Sequence, residues 1–340
     1  MDYINYVKQS PVQGLTGLYG GVQGSLMAAA ASGGGDVLNY GNRAIGYAGE
    51  YPGNPGTVID YFSIDTTGNA SNFGNCNAAG SRTKGGGNLS RGLRGGGDPN
   101  NTSIEYITYS STGNGTDFGD LNEQRNYATS GGNGVRQIFQ GGSGATNSKS
   151  TVDYVTIANT GNASDFGDCT PCFNTGNRSG GGGGDTTRAV FMGGDDPHTD
   201  TIGYYTVMST GNATNFGNLT APAAYVGSAY NGTRQWRMGG YSPAPGNRNN
   251  TVDAVTIQTT GNATNWGDLL SIWRYSSGCS NGPRFVNMGG DDGGGYPTQG
   301  ETGYYNDRIQ YFASDSTANA TDFGNLTQGR NGLAGMSGSA

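Results

Sequence analysis

DYVTIANTGNASDFGD, residues 153–168, holds the two signals on which the fold of this chain turns. Its first part continues the run TVDYVTI, in which β-branched and aromatic side chains alternate with polar ones, the period-two pattern of a half-buried strand. Its second part is a glycine turn, Thr160-Gly161-Asn162, followed by an isolated aromatic, Phe166, before Gly167-Asp168. This second part recurs as TTGNASNFGN (66–75), STGNGTDFGD (111–120), STGNATNFGN (209–218), TTGNATNWGD (259–268) and STANATDFGN (316–325). The aromatic anchors are Phe73, Phe118, Phe166, Phe216, Trp266 and Phe323, separated by 45, 48, 50, 50 and 57 residues. A period of that length means a solenoid or a propeller.

An alternating run precedes every copy: VIDYFSI, SIEYITY, TVDYVTI, TIGYYTV, TVDAVTI and RIQYFAS. The turn glycines Gly68, Gly113, Gly161, Gly211 and Gly261 suit a turn needing positive φ; the sixth copy has Ala318, so its turn is expected to differ or to be strained. Upstream, a small-residue pair closes each apolar run, from Ala48-Gly49 to Gly289-Gly290, and an arginine stands five residues before it: Arg43, Arg91, Arg136, Arg188, Arg234 and Arg284. A ring of ligand-binding arginines is one reading of that register. The reading we favour is a hydrogen bond within each blade, to a carbonyl or to the F-G-[DN] element. Runs such as RNYATSG, APAAYVGSA and WRYSSGCS supply a fourth, small-residue strand suited to a crowded axis, and four strands per repeat make a propeller blade.

The apolar run ending in Gly-Gly (VRQIFQGG, TRAVFMGG, PRFVNMGG), the Tyr-bearing strand after it and the later aromatic resemble kelch repeats over residues 38–340. The phrase DYVTIANTGNASDFGD further resembles kelch-like repeats in structural proteins of tailed bacteriophages, particularly those of cyanobacteria. The first resemblance implies an all-β, six-bladed propeller with four-stranded blades and says little about function; the second implies a virion protein. The first repeat lacks an inner strand, whereas the sixth overshoots into QGRNGLAGMSGSA, and Arg330 follows Leu326 at the spacing at which Arg125 follows Leu121. Residues 328–340 are therefore expected to complete the first blade and leave no free sheet edge.

Composition narrows the function. Glycine makes up 66 of 340 residues, and charged residues only 13%, unlike an ordinary globular enzyme. The aromatic content, 21 Tyr, 11 Phe and 3 Trp, is too high for a disordered chain. A net charge of -7 with no basic run argues against nucleic acid, and no apolar stretch or N-terminal basic-apolar pattern predicts membrane insertion or secretion. Cys76, Cys169, Cys172 and Cys279 are too few for a disulfide scaffold. Cys76 and Cys169 fall where other copies have Leu121, Leu219, Leu269 and Leu326, and Cys279 falls where Ala229 stands, so they read as apolar fillers rather than as a redox C-x-x-C.

No catalytic residues, metal site or cofactor are expected. The single histidine, His198, cannot supply the two that copper-oxidase propellers require; the glycines of 179–184 lack the Lys-Ser/Thr of a phosphate loop. Asp98, Asp195-Asp196 and Asp291-Asp292 follow Gly pairs, where turn chemistry is favoured over calcium. Residues 1–37 stand outside the repeats, with sparse anchors Tyr3, Ile4, Tyr6, Leu15, Leu18 and Tyr19 before an Ala/Ser/Gly hinge. They read as an extended N-terminal arm contacting other virion proteins. The connections after the Gly pairs vary from five residues after Gly97 to seventeen after Gly290, and variable loops on a rigid scaffold carry binding residues. Tyr241, Tyr296, Tyr304 and Tyr305 are the candidates, for a host surface glycan or protein. The reading is thus a non-enzymatic virion structural protein, tail-associated as fibre, spike or appendage, made in the host cytoplasm and located on the virion. The alternatives are a cellular kelch-like interaction module and a lectin-like or carbohydrate-active propeller.

Overall fold

Each repeat folds as four antiparallel strands, named a to d from the axis outward: the small-residue run, the Arg-led apolar run, the alternating run and the aromatic run. The computed structural model describes residues 40–51, 54–144, 149–170, 173, 178–195, 197–242, 248–291 and 305–340. The expected arm, 1–37, lies outside them, as does Cys172. Among the described residues twenty-four strands form six four-stranded sheets. Blade 1 comprises Ala334–Gly338, Arg43–Tyr47, Val58–Ser63 and Ser71–Asn75; blade 2, Gly85–Gly87, Arg91–Gly95, Asn101–Thr108 and Thr116–Arg125; blade 3, Thr129–Gly132, Arg136–Gln140, Thr151–Thr156 and Ser164–Asp168. Blade 4 comprises Gly181–Gly184, Arg188–Gly194, Thr199–Thr206 and Thr214–Asn218; blade 5, Gly227–Tyr230, Arg234–Tyr241, Arg248–Thr256 and Thr264–Asp268; blade 6, Ser277–Ser280, Arg284–Met288, Arg308–Ala313 and Thr321–Asn325. The chain is an all-β, six-bladed propeller. Its C-terminal strand completes blade 1, with Ile45 opposite Met336 and Arg43 opposite Gly338.

The axis explains the glycines of the inner strands. These strands pack directly on one another, and a Cβ on Gly182 would stand 2.2 Å from the Ser130 carbonyl oxygen of the neighbouring blade. Farther out, blades are joined by the aromatic anchors, each no more than 6% exposed. Phe166, for example, packs with Tyr205 and Val207 of blade 4, its ring 5.5 Å from that of Tyr205.

The T-G-N turn is an inter-blade hook. In every blade its asparagine (Asn69, Asn114, Asn162, Asn212, Asn262 or Asn319) accepts, through Oδ1, the backbone N–H of the residue ending the preceding blade's F-G-[DN] element, at 3.0–3.1 Å. The turn comes so close that a Cβ on Gly217 (φ 155°) would meet the Gly261 carbonyl at 2.1 Å, which is why the F-G glycine is needed. The sixth turn differs as expected: Asn319 and Ala320 make the usual bonds to Asp268, but the N–H bond that each turn glycine donates to the preceding anchor's carbonyl is not matched at Ala318.

The register arginines correct the within-blade expectation. Each guanidinium lies over an aromatic ring of its own blade, as Arg136 lies 4.4 Å from the Tyr154 centroid. Its Nη1, however, donates to a carbonyl of the following blade: Arg43 to Tyr109, Arg91 to Ile157, Arg136 to Val207, Arg188 to Ile257, Arg234 to Ser314 and Arg284 to Ile64. The arginine ring is a staple between neighbours.

Four blades also bury one carboxylate against one guanidinium. Strand c supplies Asp60, Glu105, Asp153 and Asp253. In blades 2 and 5 the cross-strand neighbour on strand b supplies the cation: Arg94 at 3.3 Å from Glu105 and Arg237 at 2.5 Å from Asp253. In blades 1 and 3 that neighbour is Gly46 or Phe139, and the cation comes from the incoming link instead, Arg330 at 3.0 Å from Asp60 and Arg125 at 2.5 Å from Asp153. Blades 4 and 6 place Gly203 and Gln310 on strand c, and the arginine is gone from both source positions. A buried charge without its partner costs several kcal/mol, so acid and base enter or leave each blade together. Cys76, Cys169 and Cys279 are all buried, as apolar fillers should be.

Two outcomes follow. Phe166→Ala truncates an inter-blade core residue and should cost about 3–5 kcal/mol in chemical denaturation; a loss under about 1 kcal/mol would mean the anchors do not hold the blades together. Deleting 328–340 removes strand a of blade 1 together with Arg330, and should open the ring and abolish cooperative melting at the wild-type temperature.

Candidate functional site

The links between blades and the b–c connections meet on one face, called upper here. Isolated bridges pair a residue of each: Glu50 with Asn331, Ser81 with Asp98, Asn126 with Ser143, Arg178 with Asp195, Ala224 with Tyr241 and Arg274 with Asp291. One residue further on, every link takes a left-handed backbone conformation, at Arg82, Tyr127, Ser179, Tyr225, Tyr275 and Gly332, with φ of 56–62°. Five of the six are not glycine, and such residues cost of order 1–3 kcal/mol each unless the surroundings hold them. A closed circle of backbone hydrogen bonds does so here. Arg82 N–H donates to Gly332, Tyr127 to Arg82, Ser179 to Tyr127, Val226 to Ser179, Tyr275 to Tyr225 and Gly332 to Tyr275, at 2.7–3.4 Å.

That circle aims side chains at the axis. The rings of Tyr225 and Tyr275 lie 4.5 Å apart, Tyr127 lies 6.0 and 6.3 Å from them, and the Arg82 guanidinium sits over Tyr127. Burial pushes all three phenols above their ordinary value. Below the cap, Lys84 of blade 2 reaches across the axis and donates to the carbonyls of Val226 (2.8 Å) and Ser276 (2.9 Å) in blades 5 and 6. It is partly buried, and desolvation pulls its ammonium down to about 8. The space lined by these groups is about 20 Å³, room for one water. The tyrosines thus leave little open space at the upper mouth of the axis.

Around the cap the aspartates after the Gly pairs are spent on arginines. Asp98 pairs with Arg82 at 2.8 Å, Asp195 with Arg178 at 3.3 Å and Asp291 with Arg274 at 2.8 Å. Asp195 also accepts from the Tyr225 hydroxyl and faces His198 Nδ1 at 3.2 Å. Among the described residues no three His, Cys, Asp or Glu side chains converge on a metal-sized site; Asp196 and Asp292 lie outside them.

Of the four candidate tyrosines, Tyr241 packs 5.1 Å from His198 and 6.3 Å from Tyr225. Tyr305 stacks edge-on with the exposed Tyr51 at 6.0 Å and donates to Glu50 at 3.4 Å. Glu50 in turn pairs with Arg82, so both tyrosines belong to one aromatic and charged surface with the cap. Tyr296 and Tyr304 lie outside the described residues. The cap tyrosines were missed by sequence reasoning. Their signal was a Tyr at one register in RNYATSG, APAAYVGSA and WRYSSGCS, there taken only as the start of a small-residue strand.

The desolvation of Lys84 has a consequence for stability against pH. Its folded value near 8 lies below the ordinary 10.4 or so of an exposed lysine, so unfolding takes up a proton between pH 8 and 10 and this group's contribution to stability rises with pH. Buried Cys76, raised to about 11, and Cys279, raised further, act in the opposite sense over the same range. The expected outcome is therefore a difference: melting temperatures of wild type minus Lys84→Met should climb from pH 8 to pH 10. A flat difference would mean Lys84 is not desolvated.

No protein-family model matches this chain, and comparison with curated proteins finds none similar to it.

Proposed function

We propose that this chain is a non-enzymatic structural protein of a tailed-phage particle, attached through residues 1–37 and displaying the upper face of its propeller to a host-surface glycan or protein. The observation that carries this reading is the division of labour between the two faces. The lower face gathers the T-G-N turns and the a–b turns, nearly constant from blade to blade and occupied with holding blades together. Tyr40, where the described chain begins, lies there against Gly232 and Gly282. The upper face gathers the connections that vary in length, together with Tyr51, Tyr241, Tyr305 and the tyrosine cap. A rigid ring with one nearly constant and one variable, aromatic face suits an interaction module, and the virion setting rests on the resemblance of the phrase at 153–168 to phage kelch-like repeats.

Two variants test the two halves of this reading. Removing 1–35 should leave a propeller with unchanged melting temperature that no longer joins the particle. Replacing Tyr296, Tyr304 and Tyr305 by Ala should leave incorporation intact and abolish adsorption to host cells. Normal incorporation of the truncated chain refutes the anchoring role, and undiminished adsorption of the triple variant refutes recognition by these loops.

A further inference from the structure

Six copies of one repeat provide an internal control, because a departure in a single blade stands out against five that share a solution. Under the register arginine, five blades place a strand-c tyrosine: Tyr61, Tyr106, Tyr154, Tyr204 and Tyr311, each 4.4–5.0 Å from the guanidinium. Each of these tyrosines also packs edge-on against its blade's phenylalanine anchor. Blade 5 alone has Ala254 at that position, and blade 5 alone has a tryptophan anchor, Trp266. The indole turns toward Trp236 at 5.6 Å, and Arg234 lies over it at 5.2 Å. The one turn that carries Ala318 instead of glycine is the turn that hooks onto this same outer strand. Residues 254, 266 and 318, the departures from the repeat noted above, therefore meet in one place.

Trp236, directly across the strands from Ala254 where the other blades have Ile, Leu or Val opposite their tyrosine, takes up much of the space that the tyrosine fills elsewhere. A cleft of about 370 Å³ remains on the lower outer edge, between blade 5 and the turn of blade 6. Thr256, Thr259, Thr260, Asn262, Thr264 and Thr317 line it together with Arg234, Trp266, Ala254 and Val255. None of the lining residues is acidic, and among the described residues Arg234 has no carboxylate partner, its Nη1 donating to the Ser314 carbonyl at 3.1 Å. The Trp266 Nε1–H is buried without an acceptor.

We infer that this cleft is a binding site for a carboxylated sugar unit of the uronic-acid type. The guanidinium supplies a charge-assisted, forked contact for a carboxylate. The five threonine hydroxyls and the Asn262 carboxamide supply exchangeable donors and acceptors for ring hydroxyls, and the volume lies in the range of small-ligand sites. Hydroxyls, a carboxamide and a guanidinium outnumber the apolar groups Ala254, Val255 and Trp266 in the lining, which suits a polar sugar better than an apolar peptide side chain. The site lies at the lower edge, apart from the tyrosines of the upper face, and does not depend on the host-attachment reading.

The test uses the full chain in equilibrium dialysis against trigalacturonate and against maltotriose, a neutral trisaccharide. Saturable binding of the uronate is expected, with affinity for the neutral sugar weaker by about tenfold or more, as loss of a charge-assisted contact requires. The triple variant Trp236→Ile/Ala254→Tyr/Trp266→Phe rebuilds the arrangement of the other five blades. It should fold with one cooperative transition and lose uronate binding. Arg234→Lys, which keeps the charge and removes the fork, should weaken uronate binding more than neutral-sugar binding, and its melting temperature, read alongside, reports the loss of the staple to Ser314 separately. Equal binding of the neutral sugar, undiminished binding by the folded triple variant, no binding of the uronate by wild type, or preference for a Glu-rich peptide would each overturn the assignment.

Discussion

Every other feature of this propeller depends on the way one blade grips the next. A four-stranded sheet of this size has too little core to stand alone, so the repeat carries its own fasteners. The turn asparagine reaches back to the preceding outer strand, the register arginine reaches forward to a carbonyl of the following blade, and the aromatic anchor fills the space between them. Because the fasteners are mostly backbone hydrogen bonds accepted or donated by a single conserved side-chain type per repeat, they work identically whatever strand sequences flank them. The ring closes when the chain's last strand takes its place beside Arg43–Tyr47.

Inside the blades the constraint is electrostatic neutrality. A carboxylate on strand c caps the backbone of the incoming link, as Asp153 does for Asn122 and Asp60 for Thr327, which ties one blade's link to its own sheet. That bond can be kept only if the buried charge is balanced. The chain meets the condition from two alternative positions, strand b or the link, and in blade 2 Gly80 makes room for the Arg94 guanidinium that takes over the role. In blade 6 Gln310 keeps the capping bond, to Leu270 N–H at 2.8 Å, with no charge to balance. The repeats are thus equivalent in physics while differing in sequence.

Fastening on one side leaves the other side free to vary. The lower turns are committed to inter-blade bonds, and lengthening them would pull the hooks out of register. The upper connections leave each blade after its last shared bond, so they tolerate insertions, and the circle of left-handed link residues beneath them holds the axial cap fixed whatever their length. Surface variation and a rigid platform therefore coincide on one face, where the aromatic side chains are also found. The departures of blade 5 concern a different place, the lower outer edge, where Trp236 and Trp266 replace the usual pairing of an anchor phenylalanine with a strand-c tyrosine.

The amino-acid sequence by itself determined the blade count, the strand order within a blade, the closure by the C-terminal strand and the burial of the anchors and cysteines. Each of these is a periodic property, repeated six times in a pattern set by the two-residue pleat and by local turn chemistry, so a single chain suffices to read it. Only the tertiary structure decided which partner each repeated group finds. The arginine ring binds the following blade rather than its own. Arg125 and Arg330 do for strand c what Arg94 and Arg237 do from a different position in the sequence, and Tyr127, Tyr225 and Tyr275 become neighbours only when links 50–148 residues apart in the chain meet at the axis. The physical reason is that periodicity fixes the direction in which a side chain leaves its own strand, whereas contacts across blades and around an axis depend on how six copies are rotated against one another, and no local pattern carries that rotation.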